Sequence, residues 1–143
     1  MKKKLLIVSM VILFGVFLIG GYAFINRIFP KAAPINVPTA DDIISISITE
    51  NNGRTVVIEK TGYEEFFQKI STTYPTRIMS VNDYLAVETY YTIEIKTSVK
   101  EYRYFMYADK SKVYIEIAYE GIYEADQQFL DFVIAHFETE KTK

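Results

Sequence analysis

The sequence predicts an α+β fold: an N-terminal transmembrane helix, then a small antiparallel sheet (order ββαβββα) with two helices packed on one face. Three observations support this prediction. An apolar run without charged residues occupies positions 5–25. Five later segments alternate apolar and polar residues with the period of two that is typical of half-buried strands. Two further segments repeat apolar residues at the spacing of a helix.

The apolar run predicts where the chain is located. Leu5–Ile25 follows three lysines and is long enough to cross a hydrocarbon core of ~30 Å. The basic flank is expected to stay in the cytoplasm, which places the C-terminal part outside the cell. Two interpretations of residues 1–29 stay open, an uncleaved single-pass anchor and a signal peptide cleaved at Gly21-Tyr22-Ala23. A lipoprotein is excluded, because the chain has no cysteine to carry the lipid.

Composition limits the chemistry of the part that follows. Four of the 16 basic residues, but none of the 18 acidic ones, lie within positions 1–29, so the remainder carries a formal charge of −6. This acidic balance argues against nucleic acid binding, which needs a basic surface. Without cysteine there are no disulfides, no thiol catalysis and no cysteine-based metal sites. The sequence predicts neither a cofactor nor a metal site.

Three prolines predict a semi-rigid spacer over residues 30–40, which lifts a single domain of residues 41–143 off the membrane. The domain starts with a strand in which isoleucine alternates with serine and threonine. A three-residue turn before the second strand places Ile48 opposite Val56 and Ile46 opposite Ile58, which keeps the apolar side chains on one face.

Two helices are expected to cover the apolar face of the sheet. Tyr63, Phe66 and Ile70 share one face of the first helix, which ends before Pro75. Asp126 is the predicted N-cap of the second helix. The inner face of that helix consists of Phe129, Leu130, Val133, Ile134 and Phe137.

Three consecutive strands are predicted over residues 89–97, 101–109 and 112–118. Their tight turns pair Ile93 with Tyr104 and Met106 with Ile115, which builds an apolar wall on one face. The opposite face carries Glu94 across from Arg103. It also carries a cross-strand row of tyrosines, Tyr90, Tyr107 and Tyr114.

Two sequence stretches carry a family resemblance. These are PTRIMSVNDY, at residues 75–84, and KVYIEIAYEGIYEAD, at residues 112–126. Together they resemble a family of small extracytoplasmic domains of Gram-positive bacteria, which is catalogued as a domain of unknown function. Its members share Tyr-x-Glu followed by Pro-Tyr-x-Gly-Ile-Tyr, and Ala118 replaces the proline. The matching residues are Tyr114, Glu116, Tyr119, Gly121, Ile122 and Tyr123. The resemblance implies a bacterial surface location and no known activity.

The same motif has a structural interpretation. Gly121 is expected to supply a positive φ or a close backbone approach where the last strand turns into the last helix. Tyr119 and Tyr123 would flank that turn, packing their rings and bonding their hydroxyls to the backbone. Asn82 and Asp83 are expected to hold a turn through side-chain-to-backbone bonds. The alternative is a ligand pocket at the strand end.

The sequence offers little support for an enzyme. His136 is the sole histidine, and no serine has the context of a nucleophile. Glu94 and Glu116 share a face, but the register predicts an intervening strand, which argues against a glycosidase pair.

The leading hypothesis is therefore a non-enzymatic interaction domain, anchored in the membrane through residues 5–25, which contacts another envelope protein. The alternative is a module that binds wall glycan or peptidoglycan through an exposed row of Tyr90, Tyr107 and Tyr114, since aromatic rings stack on sugars or bury against proteins.

Overall fold

The chain, seen in a computed structural model that describes residues 2–80, 85 and 87–140, divides into two compact units, Met1–Lys31 and Ala32–Lys143. The first unit consists of helix α1 (Lys2–Ile28) and the residues after it. Within α1, Leu6–Ile28 is 23 residues long and apolar enough to cross a membrane by length and composition, a test that a secretory signal also passes. The predicted N-terminal apolar helix is confirmed.

The second unit is built on a seven-stranded antiparallel sheet with the order β2-β1-β4-β5-β6-β7-β3. Its strands are β1 (Ile43–Glu50), β2 (Thr55–Ile58), β3 (Tyr74–Pro75), β4 (Tyr91–Thr97), β5 (Glu101–Asp109), β6 (Lys112–Ile117) and β7 (Gly121–Ala125). The helices of this unit are α2 (Tyr63–Ser71) and α3 (Gln127–Glu140), so the α+β class is confirmed.

The predicted strand registers are confirmed. Ile48 pairs with Val56 in the first hairpin, with Gly53 at φ +91° in the turn. Ile93 pairs with Tyr104, and Met106 pairs with Ile115. Because the side-chain period of a strand is two, these registers place one apolar row on one face of the sheet.

Two strands were not predicted. β7 follows β6 after a three-residue turn and pairs Tyr123 with Ile115, in a stretch that the sequence suggested was a turn leading to the last helix. Gly121 was expected at the turn between the last strand and the last helix, whereas it is the first residue of β7. β3 is only two residues long and contains Pro75, which is tolerated because β3 lies at the sheet edge.

The core lies between the sheet and the two helices. Phe66, Phe129 and Val133 are fully buried together with Ile93 and Ile115 of the sheet. The predicted N-cap is confirmed, because the Asp126 carboxylate accepts a hydrogen bond of 2.8 Å from the backbone N–H of Phe129. We call the face that packs on α2 and α3 the helix face and the other the open face.

Residues 32–38, here the lead-in segment, pack on the domain and do not form a spacer. Ala32, Ile35 and Val37 contact the hydrophobic core. The hydroxyl of Tyr123 donates to the carbonyl of Ala33 at 2.7 Å, and that of Tyr104 donates to the carbonyl of Asn36 at 3.1 Å. The predicted domain boundary at residue 41 therefore shifts to residue 32, because proline spacing does not reveal that buried tyrosines bind this segment.

Candidate functional site

The open face does not present the predicted row of three exposed tyrosines. Tyr107 and Tyr114 are register partners, with ring centroids 5.7 Å apart. Tyr107, however, is buried, with 9% of its surface exposed, and Tyr90 packs its ring against Phe105 at 6.2 Å. Tyr90 and Tyr114 are half-buried. The correction follows from tertiary structure, since the chain at Ser80, which precedes β4, lies over this face and hydrogen-bonds to Glu116.

Beneath that cover lies a polar cluster of Ser80, Tyr107 and Glu116. Ser80 donates a hydrogen bond of 2.6 Å to one carboxylate oxygen of Glu116, and the Tyr107 hydroxyl contacts the other oxygen at 3.4 Å. Glu116 is buried with 9% exposure, and Ser80 with 2%. A carboxylate with so little exposure to water needs such hydrogen-bond donors, because an unpaired buried charge is strongly destabilising.

The ionisation of Tyr107 reflects its place in the cluster. Burial, followed by the negative charge of Glu116, raises the pKa of Tyr107 to about 12. Its hydroxyl thus stays protonated at physiological pH and serves as a donor to the carboxylate. A phenol that is protonated at physiological pH does not act as a general base, so Tyr107 serves here as a hydrogen-bond donor to Glu116.

The polar cluster fastens residues 76–80, here called the connector, onto the open face. Ser80 is the buried contact from the connector to Glu116. Leu85, which also precedes β4, is buried as well. Asn82 and Asp83, predicted to hold a turn here, lie outside the described residues. Sequence reasoning missed Ser80, because a single serine in an irregular segment carries no periodic signal.

The other motif residues meet where the lead-in segment and connector reach β7. A Cβ atom on Gly121, which has φ +156°, would lie 2.5 Å from the Cβ of Ala32. The close approach predicted for this glycine is therefore present, at the start of β7. The backbone of Ile122 bonds to both Thr76 and Ile78 of the connector.

The two motif tyrosines differ in their surroundings. Tyr123 is buried, and its hydroxyl bonds to the backbone as expected. Tyr119 is 64% exposed at φ +63° in the β6–β7 turn, so it is not buried as Tyr123 is. Tyr119 is the central residue of the three-residue turn, whereas Tyr123 lies within β7.

A second candidate site is a groove of about 450 Å³ beside the edge strand β2, which we call the β2 groove. Its walls are Val56, Val57, Glu59, Thr61, Gly62, His136 and Thr139. His136 contacts the backbone carbonyl of Phe132 through Nδ1 at 2.8 Å. Since a carbonyl only accepts, Nδ1 donates in this contact, and Nε2 lies beside Gly62.

Within residues 2–80, 85 and 87–140 there is no group of three or more histidine or acidic residues that could hold a metal ion. Glu94 forms an exposed ion pair with Arg103 at 2.8 Å, as the register predicted. The residues that the sequence singled out lie mainly in two places. Tyr107 and Glu116 belong to the polar cluster, and Gly121 and Tyr123 belong to β7. The β2 groove was found only in the tertiary structure.

Comparisons with known proteins show that most of this chain matches a family of unknown function. A family described as "Domain of unknown function (DUF5300)" matches residues 31–124, about two thirds of the chain. No curated protein matches this sequence. A solved structure, "NMR structure of the protein from Ruminococcus gnavus", is 30% identical, with a TM-score of 0.60, and the match covers 69% of this chain and 98% of that one.

Proposed function

This chain belongs to the family of domains of unknown function that matches residues 31–124. We propose that it is a membrane-anchored extracytoplasmic domain that binds an extended segment of another envelope protein. It acts by binding and catalyses no reaction. The observation that carries this proposal is the open edge of β2 beside a groove.

Anchoring is supported by α1 and its flank. Leu6–Ile28 has the length and apolarity of a membrane span, and Lys2, Lys3 and Lys4 precede it. A basic flank on the N-terminal side favours a cytoplasmic N-terminus and a domain on the outer side. In this orientation the domain is held at the surface, where its partners are other proteins of the envelope.

Strand addition is supported by the hydrogen-bonding pattern of β2. In the part of the chain that the structure describes, β2 pairs only with β1, at one end of the sheet order. Backbone groups in an antiparallel pair point alternately toward the partner strand and away from it. Glu50 N–H bonds to the Arg54 carbonyl, so the inward positions are 54, 56 and 58 and the outward ones are Thr55 and Val57.

The side chains around the β2 edge fit an extended peptide. The Val57 side chain is 62% exposed, and the groove that borders it continues to Thr61 and to His136 on α3. A peptide strand on this edge would bond to the backbone at Val57 and place alternate side chains in the groove. Main-chain bonds then provide affinity, and the groove provides specificity.

The test is photo-crosslinking in the native host from an amino acid placed at Thr61, which is exposed and lines the groove. We expect one discrete protein adduct. Val57→Pro should reduce the yield of this adduct about tenfold, which corresponds to ~1.4 kcal/mol. The reason is that proline removes the backbone N–H of residue 57, to which the peptide would bond, and its ring obstructs the peptide. Val57→Ala, which keeps the N–H, should retain the adduct.

An adduct that persists in Val57→Pro, provided that circular dichroism shows the variant folded, would refute strand addition. Capture of wall glycan at Thr61 would instead support the alternative binding class. Turnover of a wall or peptide substrate by the protein would refute a purely binding role.

A further inference from the structure

The link between the membrane helix and the domain is short. Ala32 is held on the domain, because its N–H donates to the carbonyl of Thr76 at 3.2 Å and its side chain packs on the core. Only Phe29, Pro30 and Lys31 separate Ala32 from the end of α1. At ~3.5 Å per residue, the covalent chain keeps Ala32 within ~14 Å of the helix end in any orientation of the domain.

The position of Ala32 shows which end of the sheet is tethered to α1. Ala32 contacts Gly121, the register partner of Ile117, where β6 ends and β7 begins. Because the strands are antiparallel, the β4–β5 turn and the start of β1 lie at the same end, which we call the near end. The β1–β2 and β5–β6 turns lie at the opposite, far end.

Exposed apolar side chains are concentrated at the near end. In the described part of the domain, seven large apolar side chains are exposed. Five of them lie at the near end: Ile44, Ile78, Met79, Val99 and Tyr119. Val99 is 93% exposed at the tip of the β4–β5 turn, and Tyr119 is 64% exposed at the tip of the β6–β7 turn. Turn tips are usually polar, so this pattern requires an explanation.

We propose that the near end contacts the lipid surface of the membrane in which α1 is anchored, with Val99, Tyr119, Ile78 and Met79 in the interfacial layer. This inference rests on the proposed anchoring. Apolar side chains gain free energy by leaving water, and tyrosine favours the interface because its ring is apolar and its hydroxyl is polar. Because the link to α1 is short, the lipid surface always lies within reach of the near end.

The test uses the full chain in liposomes of phosphatidylethanolamine and phosphatidylglycerol. The natural sequence has no cysteine, so single cysteines at Val99, Met79 and Ser111 can each carry one environment-sensitive fluorophore. Ser111 is exposed in the far-end turn and is the matched control. We expect nitroxide-labelled lipids to quench the probe at positions 99 and 79 and leave the probe at 111 bright.

A second variant separates lipid contact from accidental proximity. Tyr119→Glu places a charge at the interface and should reduce quenching at position 99, whereas Lys110→Glu at the far end should not. Unquenched probes at 99 and 79 in a protein that resists alkaline carbonate extraction would overturn the inference. Equal quenching at 111 would also overturn it, and a chain extracted by carbonate would refute the anchor itself.

Discussion

Replacement of Gly121 by alanine tests whether the lead-in segment is part of the folded domain. The new Cβ would lie 2.5 Å from the Cβ of Ala32, while the next atoms, Ala32 Cα and the Ile78 carbonyl oxygen, are both 3.8 Å away. Carbon atoms make their optimal contact at roughly 3.5–4.0 Å, so only the Ala32 Cβ produces a severe overlap. The φ of +156° adds backbone strain.

The overlap can be relieved only by displacing the lead-in segment, because Ala32 is hydrogen-bonded to Thr76 and Ala33 to Tyr123. Overpacking of this kind costs about 1–3 kcal/mol. For a domain of this size, each kcal/mol lowers Tm by roughly 4 °C. We therefore expect Gly121→Ala to lower the Tm of the domain by roughly 4–12 °C.

The assay is a double-mutant cycle on a fragment that begins at Pro30, followed by urea unfolding with tyrosine fluorescence and circular dichroism. Ala32→Gly removes the overlapping atom, so in that background Gly121→Ala should cost only the backbone strain. The coupling free energy between the two positions measures the contact itself. An equal cost of Gly121→Ala in both backgrounds would refute packing of the lead-in segment on β7.

Two further predictions concern the polar cluster. Ser80→Ala should destabilise the fragment by about 1–3 kcal/mol, because the buried Glu116 carboxylate loses a hydrogen-bond donor. The control, Ser111→Ala on the exposed β5–β6 turn, should change the free energy of unfolding little. Equal effects in the two variants would contradict the fastening role of the cluster. The raised pKa of Tyr107 predicts a stability contribution that is complete below pH 10 and is lost as the pH rises toward 12, because the unfolded tyrosine ionises first. Urea unfolding across this pH range should show a smaller loss in Tyr107→Phe, and an identical pH profile would show that Tyr107 does not titrate differently in the folded protein.

Some features of the fold depended only on local pattern. The registers of β1 with β2 and of β4 with β5 followed from side-chain periodicity and turn length, as Ile48–Val56 and Ile93–Tyr104 illustrate. The Asp126 cap depends on residues within one turn of each other. The apolar helix before residue 29 also needed only the local sequence. These features were predictable because neighbouring residues determine them.

The candidate site was predictable only in part. The motif stretch contains Glu116, Gly121 and Tyr123, which the structure brings against other segments, and the predicted register placed Tyr107 beside Tyr114. The burial of Tyr107 was not predictable, because Ser80 reaches Glu116 across 36 positions of sequence. No local pattern encodes which irregular segment covers which face.

By itself, the sequence determined the fold class, the apolar helix, the acidic charge of the domain and the pairing of β1 with β2, β4 with β5 and β5 with β6. The tertiary structure alone decided that the lead-in segment is part of the domain, that β2 ends the sheet order of the described residues beside α3, and that Val99, Tyr119 and Ile78 share one end of the sheet. The physical reason is that periodicity and turn chemistry act over a few residues, whereas burial depends on contacts between segments that are distant in sequence.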